Sequence, residues 1–125
     1  MINILSKQLH ENNKAKGFYE DEKNIGEMLC LIHSEVSEAL EADRKNSYAD
    51  LDKFNSGFHN RVKSYDIAWK EVFELHIKDT FKDELADVMI RVMDLAAFKK
   101  INLEKHIELK MFYNSLRAYK HGKKY

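Results

Sequence analysis

Two stretches of the chain decide its fold: SEVSEALEA at residues 34–42 and DELADVMIRVMDLA at residues 83–96. In each stretch, apolar residues recur every three or four positions, which is the spacing of an amphipathic α-helix. Each stretch also has two acids three positions apart, so one helical turn presents both carboxylates on nearly the same side. The pairs are Glu35 with Glu38 and Glu84 with Asp87. Four acids from two helices can hold a divalent metal ion if the pairs face each other.

The rest of the sequence also predicts helices, and the chain is interpreted as all-α. It has no proline and only four glycines, so turns are few and helices can run long. The predicted helices cover residues 2–14, 22–45, 66–77, 80–99 and 102–119. Residues 46–63 mix turn formers with aromatic residues and predict a looser connection with some helical content. Asn102 is expected to be the N-cap of the last helix, with Lys105 or His106 at its third position.

The apolar stripes of the two long helices are expected to face the core. They consist of Ile25, Leu29, Ile32, Val36 and Leu40 in one helix and Leu85, Val88, Met89, Val92, Leu95 and Ala96 in the other. Glu35 is expected at the margin of the first stripe and Glu38 about 60° further round. Glu84, Asp87, Arg91 and Asp94 share a polar sector beside the second stripe. Cys30 lies in the apolar run MLCLI and is expected to be a buried, inert thiol.

Composition limits the class of protein. A chain of 125 residues with 44% hydrophobic content suits a single domain spanning residues 1–125. Lys plus Arg equals Asp plus Glu at 21 each, so nucleic acid is the least favoured partner. One cysteine excludes an internal disulfide framework and is typical of a reducing compartment, which favours the cytoplasm. No apolar run approaches the roughly 20 residues of a membrane span, and the N-terminus lacks a signal-peptide core.

A second group of polar residues lies near the C-terminus. Lys110, Asn114, Arg117 and His121 step by four, three and four positions, so on a continued helix they fall within about 40° of one another. Arg and Lys are the usual partners of phosphate, and Asn can hold a sugar or a base. Lys123 and Lys124 can add further contacts.

Each group also has a simpler interpretation. Acids beside an apolar stripe are usually a solvated flank, and cations suit the C-terminal end of a helix because of its dipole. Together, however, an acidic and a basic stripe in one small bundle are what a metal–triphosphate complex needs. Hard oxygen ligands without His or Cys favour Mg²⁺ or Mn²⁺.

Three strings resemble the MazG-like branch of the all-α nucleoside triphosphate pyrophosphatases: residues 24–45, residues 83–96 and KMFYNSLRAYKHGKKY at residues 110–125. The E-x-x-E and E-x-x-D motifs of that family are matched by Glu35, Glu38, Glu84 and Asp87. The chain departs from the family at Ser34, where many members have a further Glu. The spacer between the two motifs, residues 39–83, is also longer than in compact members of the family. Residues 47–79 are therefore interpreted as an insertion between the two metal-binding helices. Its aromatic residues could line a base pocket, extend an oligomer interface or simply pack.

The resemblance implies a four-helix-bundle-like fold that hydrolyses a nucleoside triphosphate between the α and β phosphates, giving a monophosphate and pyrophosphate. It implies Mg²⁺, with Mn²⁺ as the alternative, held by the four motif acids, with Glu35 or Glu38 orienting the attacking water. The residues expected to hold the phosphates or the sugar are Lys110, Asn114, Arg117, His121 and Lys123. A homodimer or homotetramer and a role in clearing the nucleotide pool are implied as well.

Two other classes of protein can also have acids on paired helices. A di-iron bundle needs Glu-x-x-His motifs, and no Glu in this sequence is followed by His three positions later. A non-catalytic module of the same fold, which only oligomerises or binds nucleotide, stays open. Release of pyrophosphate in the presence of Mg²⁺ distinguishes the enzyme from that module. Nothing in the sequence selects a base.

Overall fold

The computed structural model describes residues 1–58 and 64–125, and within these ranges the chain is helical and has no strands. The helices are α1 (Ile2–Ala15), α2 (Ile25–Arg44), α3 (Leu51–Ser56), α4 (Tyr65–His76), α5 (Phe81–Phe98) and α6 (Leu103–Ser115), followed by a 3₁₀ turn at Tyr119–Gly122. The all-α prediction is therefore confirmed. In the part of the chain that is described, no helix combines the length and the apolar character needed to cross a membrane.

The chain divides into two compact units, and the boundary falls within α5. The first unit comprises Met1–Lys23 and Val92–Tyr125, and the second comprises Asn24–Arg91. The first unit thus contains α1, α6 and the end of α5, whereas the second contains α2, α3, α4 and the beginning of α5. A single domain over residues 1–125 stays a prediction.

In the second unit, α2 begins three residues later than predicted. The side chain of Asn24 caps the helix by accepting a hydrogen bond from the backbone N–H of Glu27 at 3.2 Å. Such a cap satisfies one of the first N–H groups, which have no partner within the helix. The helix therefore begins at Ile25 instead of residue 22.

The predicted core stripe of α2 is wrong in part. Leu29 is 47% exposed, and Val36 and Leu40 are each 50% exposed. The residues of α2 that are buried are Glu35, Ala39 and Ala42. The buried face is thus displaced round the helix, onto two alanines and the Glu35 side chain. Leu85 and Met89 of α5, also predicted as core, are about half exposed.

Within the predicted insertion, α3 packs against α4. The approach is close at Gly57, because a Cβ atom built there would lie 2.7 Å from Cγ1 of the buried Val72. Aromatic rings line the same contact: Phe54 lies edge-on to Trp69 at 5.6 Å, and Trp69 stacks on Phe73 at 5.1 Å between ring centroids. The aromatic residues thus pack against one another. A base pocket or an oligomer interface stays a prediction, and residues 59–63 lie outside the described residues.

In the first unit, α1 packs against α6. The terminal ammonium of Met1 lies 2.8 Å from Glu104, and Asn3 Nδ2 donates to Asn102 Oδ1 at 2.7 Å. Asn102 also accepts from the backbone N–H of Lys105 at 3.1 Å, which confirms it as the N-cap of α6. Polar bonds at the start of α6 therefore hold α1 in place.

Candidate metal centre

Two helices of the second unit bring three carboxylates together. Glu35 and Glu38 lie one turn apart on α2, and Glu84 lies in the first turn of α5. One oxygen from each of the three lies within 4.8 Å of the other two. We call these three residues the carboxylate cluster. It contains members of both predicted acid pairs.

The cluster is partly buried. Glu35 is 7% exposed and Glu84 is 4% exposed, whereas Glu38 is exposed. Among the described residues, no group forms a hydrogen bond with Glu84 Oε2, which is itself buried. A buried charge without a partner is costly, so this oxygen needs either a proton or a cation.

The proton affinity of Glu84 reflects that need. Burial, followed by the charges of Glu38 and Asp87, raises the pKa of Glu84 from 4.5 to about 7. A hydrogen bond between Glu84 and Glu38 contributes to this shift. Two ionised carboxylates offer no donor, so that bond exists only when one of them carries a proton. Near neutral pH, a proton and a cation therefore compete for the Glu84 carboxylate.

Asp87, the fourth predicted ligand, lies outside the three-residue cluster. Its pKa is raised by burial first, then by the charges of Asp83 and Glu35, while Arg91 opposes the rise. Asp87 therefore interacts electrostatically with the cluster without its oxygens lying in the tightest group. Its role as a metal ligand stays a prediction.

Arg91 is a member of the site for which the sequence predicted no role. Its Nε donates a hydrogen bond to Oε1 of Glu35, and its side chain is 40% exposed. Arg91 lies seven positions after Glu84, so the two occupy the same face of α5. The presence of Arg91 in the same polar sector as Glu84 was the sequence signal that could have placed it in the site. The arginine neutralises one carboxylate and leaves the cluster with an excess of negative charge.

The chemistry of these donors fits a hard divalent cation. All three ligand atoms are carboxylate oxygens, the type that Mg²⁺ and Mn²⁺ prefer. Oxygens bound to one Mg²⁺ can be at most about 4 Å apart. Spacings of up to 4.8 Å are slightly wider, so the carboxylates would move closer together when they bind an ion. The unpartnered oxygen of Glu84 supplies the strongest reason for a cation.

The predicted basic stripe is interrupted. Helix α6 ends at Ser115, and the N–H groups of Leu116 and Arg117 bond to carbonyls three residues back, as in a 3₁₀ turn. This tighter winding shifts Arg117 away from the position relative to Lys110 and Asn114 that a continued α-helix would give it. The prediction of one continued helical face is therefore wrong. The side chain of His121 lies outside the described residues, and Lys123 is exposed beyond the 3₁₀ turn.

Part of the basic group nevertheless lies around one aromatic ring. Lys110 Nζ is 5.1 Å and Arg117 Cζ is 5.9 Å from the ring centroid of Tyr113. Asn114 Oδ1 is buried and accepts no hydrogen bond from the described part of the chain. These residues belong to the first unit, whereas the carboxylate cluster belongs to the second. Their role in holding phosphate or sugar stays a prediction.

Two further expectations concern α2. Ser34, which stands where the family often has a Glu, donates from Oγ to the carbonyl of Leu31 at 2.7 Å. Cys30 is exposed, so the prediction of a buried thiol is wrong. Its position lies away from the face that buries Glu35 and Ala39, and the apolar neighbours in sequence are themselves half exposed.

Comparison of the chain with protein-family models, with curated proteins and with solved structures gives no match. The candidate metal centre therefore stands on the chain's own residues.

Proposed function

We propose that this protein is a Mg²⁺-dependent nucleoside triphosphate pyrophosphohydrolase of the MazG-like, all-α type. It cleaves between the α and β phosphates and releases a nucleoside monophosphate and pyrophosphate. The buried, unpartnered Oε2 of Glu84, beside Glu35 and Glu38, carries this proposal. An excess of buried negative charge destabilises the metal-free protein, and a bound cation offsets that cost. The resemblance of the three sequence strings supplies the reaction.

The four motif acids would hold the ion: Glu35, Glu38, Glu84 and Asp87. Bound Mg²⁺ supplies electrostatic stabilisation of phosphate oxygens, and Mn²⁺ can take its place. Arg91 fixes the Glu35 carboxylate through its hydrogen bond. Because Glu38 is exposed and forms no ion pair with a cation among the described residues, we favour Glu38 over Glu35 as the group that orients the attacking water.

The basic residues near the C-terminus are proposed to bind the phosphates or the sugar. They are Lys110, Asn114, Arg117, His121 and Lys123. Two cations beside the Tyr113 ring and the unsatisfied Oδ1 of Asn114 support a polar ligand at that place. In an oligomer, these residues would serve the metal site of a neighbouring subunit.

Association of identical chains, as a homodimer or homotetramer, is part of the proposal. Leu29, Val36 and Leu40 are half exposed and lie on one side of α2, at intervals of seven and four positions. Single exposed apolar residues are ordinary, but an aligned group marks an interaction surface. We call these three residues the α2 stripe.

The finer fold assignment belongs to the same proposal. It describes a four-helix-bundle-like pyrophosphatase with residues 47–79 inserted between the two acid-bearing helices. A cytoplasmic location, nucleotide-pool clearance and the absence of a specific nucleic-acid partner are proposed with it, on the single cysteine and the balanced charge.

A direct test incubates the purified chain with each common ribo- and deoxyribonucleoside triphosphate and Mg²⁺, then identifies the products. Monophosphate with pyrophosphate supports the proposal. Diphosphate with phosphate contradicts it. No turnover with any nucleotide, together with retained Mg²⁺-dependent nucleotide binding, favours the non-catalytic module instead.

A further inference from the structure

A groove of about 550 Å³ runs along α1 in the first unit, a volume in the range of small-molecule sites. The residues of α1 that line it are spaced three or four positions apart and therefore share one face: Asn3, Ser6, Lys7, His10, Glu11 and Lys14. The end of α5 and the turn after it form the other wall, which includes Phe98, Lys100 and Ile101.

The α1 face of this groove is polar at its buried position as well as at its exposed ones, because Ser6 is buried whereas Lys7, Glu11 and Lys14 are exposed. A helix face that lies against another element is ordinarily apolar, because burial of apolar surface stabilises the contact. Every residue that α1 contributes to the groove is polar or charged, whereas the opposite wall offers the apolar Phe98 and Ile101. The groove therefore combines a polar wall with an apolar one.

Ser6 is the clearest sign of a missing partner. It is 4% exposed, and its Oγ has no hydrogen-bond partner among the described residues. A buried hydroxyl normally bonds to protein or to water, because its desolvation is otherwise uncompensated. A ligand in the groove would provide the bond that the described residues do not.

His10, one turn after Ser6, is held rigidly by two neighbours. Its Nδ1 lies 2.9 Å from Asp94 Oδ1, and Tyr19 donates from its hydroxyl to Asp94 Oδ2 at 2.8 Å. The Tyr19 ring also lies edge-on to His10, with centroids 4.6 Å apart. A carboxylate acceptor keeps the proton on Nδ1, which leaves Nε2 as the nitrogen for another partner. The imidazole is thus oriented before any ligand arrives.

The charges along the groove favour an anion. Lys7, Lys14 and Lys100 line it against one acid, Glu11, which lies 3.8 Å from Lys14 Nζ. With that pair neutral, Lys7 and Lys100 outnumber Asp94, whose carboxylate contacts His10, so an excess of positive charge remains beside the groove.

We propose that this groove binds a small organic anion, with a phosphate or carboxylate group and a flat apolar portion. The Ser6 hydroxyl and His10 hydrogen-bond to the anionic group, Lys7 and Lys100 balance its charge, and Phe98 contacts the apolar portion. None of these residues belongs to the carboxylate cluster or to the proposed phosphate-binding residues near the C-terminus. The site is therefore additional to the proposed pyrophosphohydrolase activity.

Calorimetric titration of the full chain in EDTA tests the site, because without divalent ions the carboxylate cluster cannot recruit an anion. The probes are phenyl phosphate, benzoate and inorganic phosphate. We expect one of the two aromatic probes to bind more tightly than inorganic phosphate, and the better of the two identifies the anionic group. Dissociation constants all weaker than about 1 mM would overturn the proposal.

Two variants separate a binding role from a structural one. Ser6→Ala should weaken the better probe about tenfold while the melting temperature of the unliganded protein stays level or rises, since an unpartnered hydroxyl is removed. Unchanged binding overturns the role of Ser6. Lys7→Gln should weaken binding, whereas Lys16→Gln, just beyond α1 and outside the groove, should not. If both variants bind the probe equally weakly, the attraction comes from the general positive charge of the protein, and the proposed site is overturned.

Discussion

Arg91 donates a hydrogen bond from Nε to Oε1 of Glu35, and this ion pair joins α5 to α2 at the carboxylate cluster. The pair balances one buried carboxylate, while Glu84 finds no partner for Oε2 within the described residues. The metal-free cluster therefore depends on one arginine and on a proton at Glu84. Stability and metal binding should be coupled at this site, and the coupling can be measured.

Replacing Arg91 should destabilise the metal-free protein. Arg91→Gln leaves the buried Glu35 without its counter-ion, and because the arginine is partly exposed we expect a loss of about 1–3 kcal/mol in the free energy of unfolding. Urea denaturation with and without Mg²⁺ measures the effect, and Mg²⁺ should recover part of the loss. Arg44→Gln, at the exposed end of α2, is the control. An equal loss in both variants would remove the special role of Arg91.

The stability of the metal-free protein should fall as pH rises through neutrality. The folded-state pKa of Glu84 is raised from 4.5 to about 7, so its contribution is fully present below 4.5 and is lost as pH rises through about 7. The shift corresponds to about 3 kcal/mol. Urea denaturation at about pH 5 and about pH 8 measures it.

Glu84→Gln is the matched variant for that experiment. The neutral amide cannot ionise, so the Glu84 part of the pH dependence should disappear, and the variant should be more stable than the parent at about pH 8 without metal. The same variant should lose stabilisation by Mg²⁺. A pH profile identical to that of the parent would show that Glu84 is not the titrating group.

Removal of single carboxylates should abolish turnover without unfolding the helices. Glu38→Gln and Asp87→Asn are each expected to lower the rate of pyrophosphate release about 100-fold or more. Glu41→Gln, one turn further along α2 and paired at the surface with Lys45, should keep full activity. Circular dichroism checks the fold. Full activity in Asp87→Asn would restrict the metal site to the carboxylate cluster.

Arg117 is expected to act on substrate binding. Arg117→Ala should raise KM for the preferred nucleotide about tenfold with little change in kcat, because the interaction is made in both the ground state and the transition state. Lys99→Ala, an exposed cation in the same unit, is the control. If the KM of the Arg117 variant equals that of the parent, Arg117 does not bind the phosphates of the substrate.

The α2 stripe should govern oligomeric state. Leu40→Glu places a charge among half-exposed apolar side chains and should convert a dimer or tetramer to monomer in analytical ultracentrifugation. Leu75→Glu, on an exposed position of α4, should leave the assembly intact. A parent chain that is monomeric at all concentrations would contradict the proposed association.

Local signals were sufficient to predict most of the helices, but not all of their ends or the faces that they bury. The Asn102 cap, the bounds of α1 and the periodicity of α5 all follow from neighbouring residues. The buried face of α2 depends on what packs against it, and Ala39 and Glu35 are buried in preference to the more hydrophobic Leu40. The spacing of hydrophobic residues gives most weight to large side chains, so it does not predict burial at alanine.

In the site, too, the spacing of residues along one helix was predictable from the sequence, whereas contacts between helices were not. The i, i+3 acids predicted that Glu35 and Glu38 lie one turn apart, yet the hydrogen bond from Arg91 depends on how α5 approaches α2. The early end of α6 had no sequence signal, because the nearest glycine is Gly122 and the chain has no proline. A change to 3₁₀ bonding in the last turn altered the positions of the predicted cations.

The half-exposed side chains of Leu29, Val36 and Leu40 also bear on how heat acts on the molecule. If copies associate through them, unfolding includes dissociation, and mass action makes the melting temperature rise with protein concentration. Dilution alone would then lower thermal stability, with no change in any bond inside the chain. For such a protein, a melting temperature has meaning only together with the concentration at which it was measured.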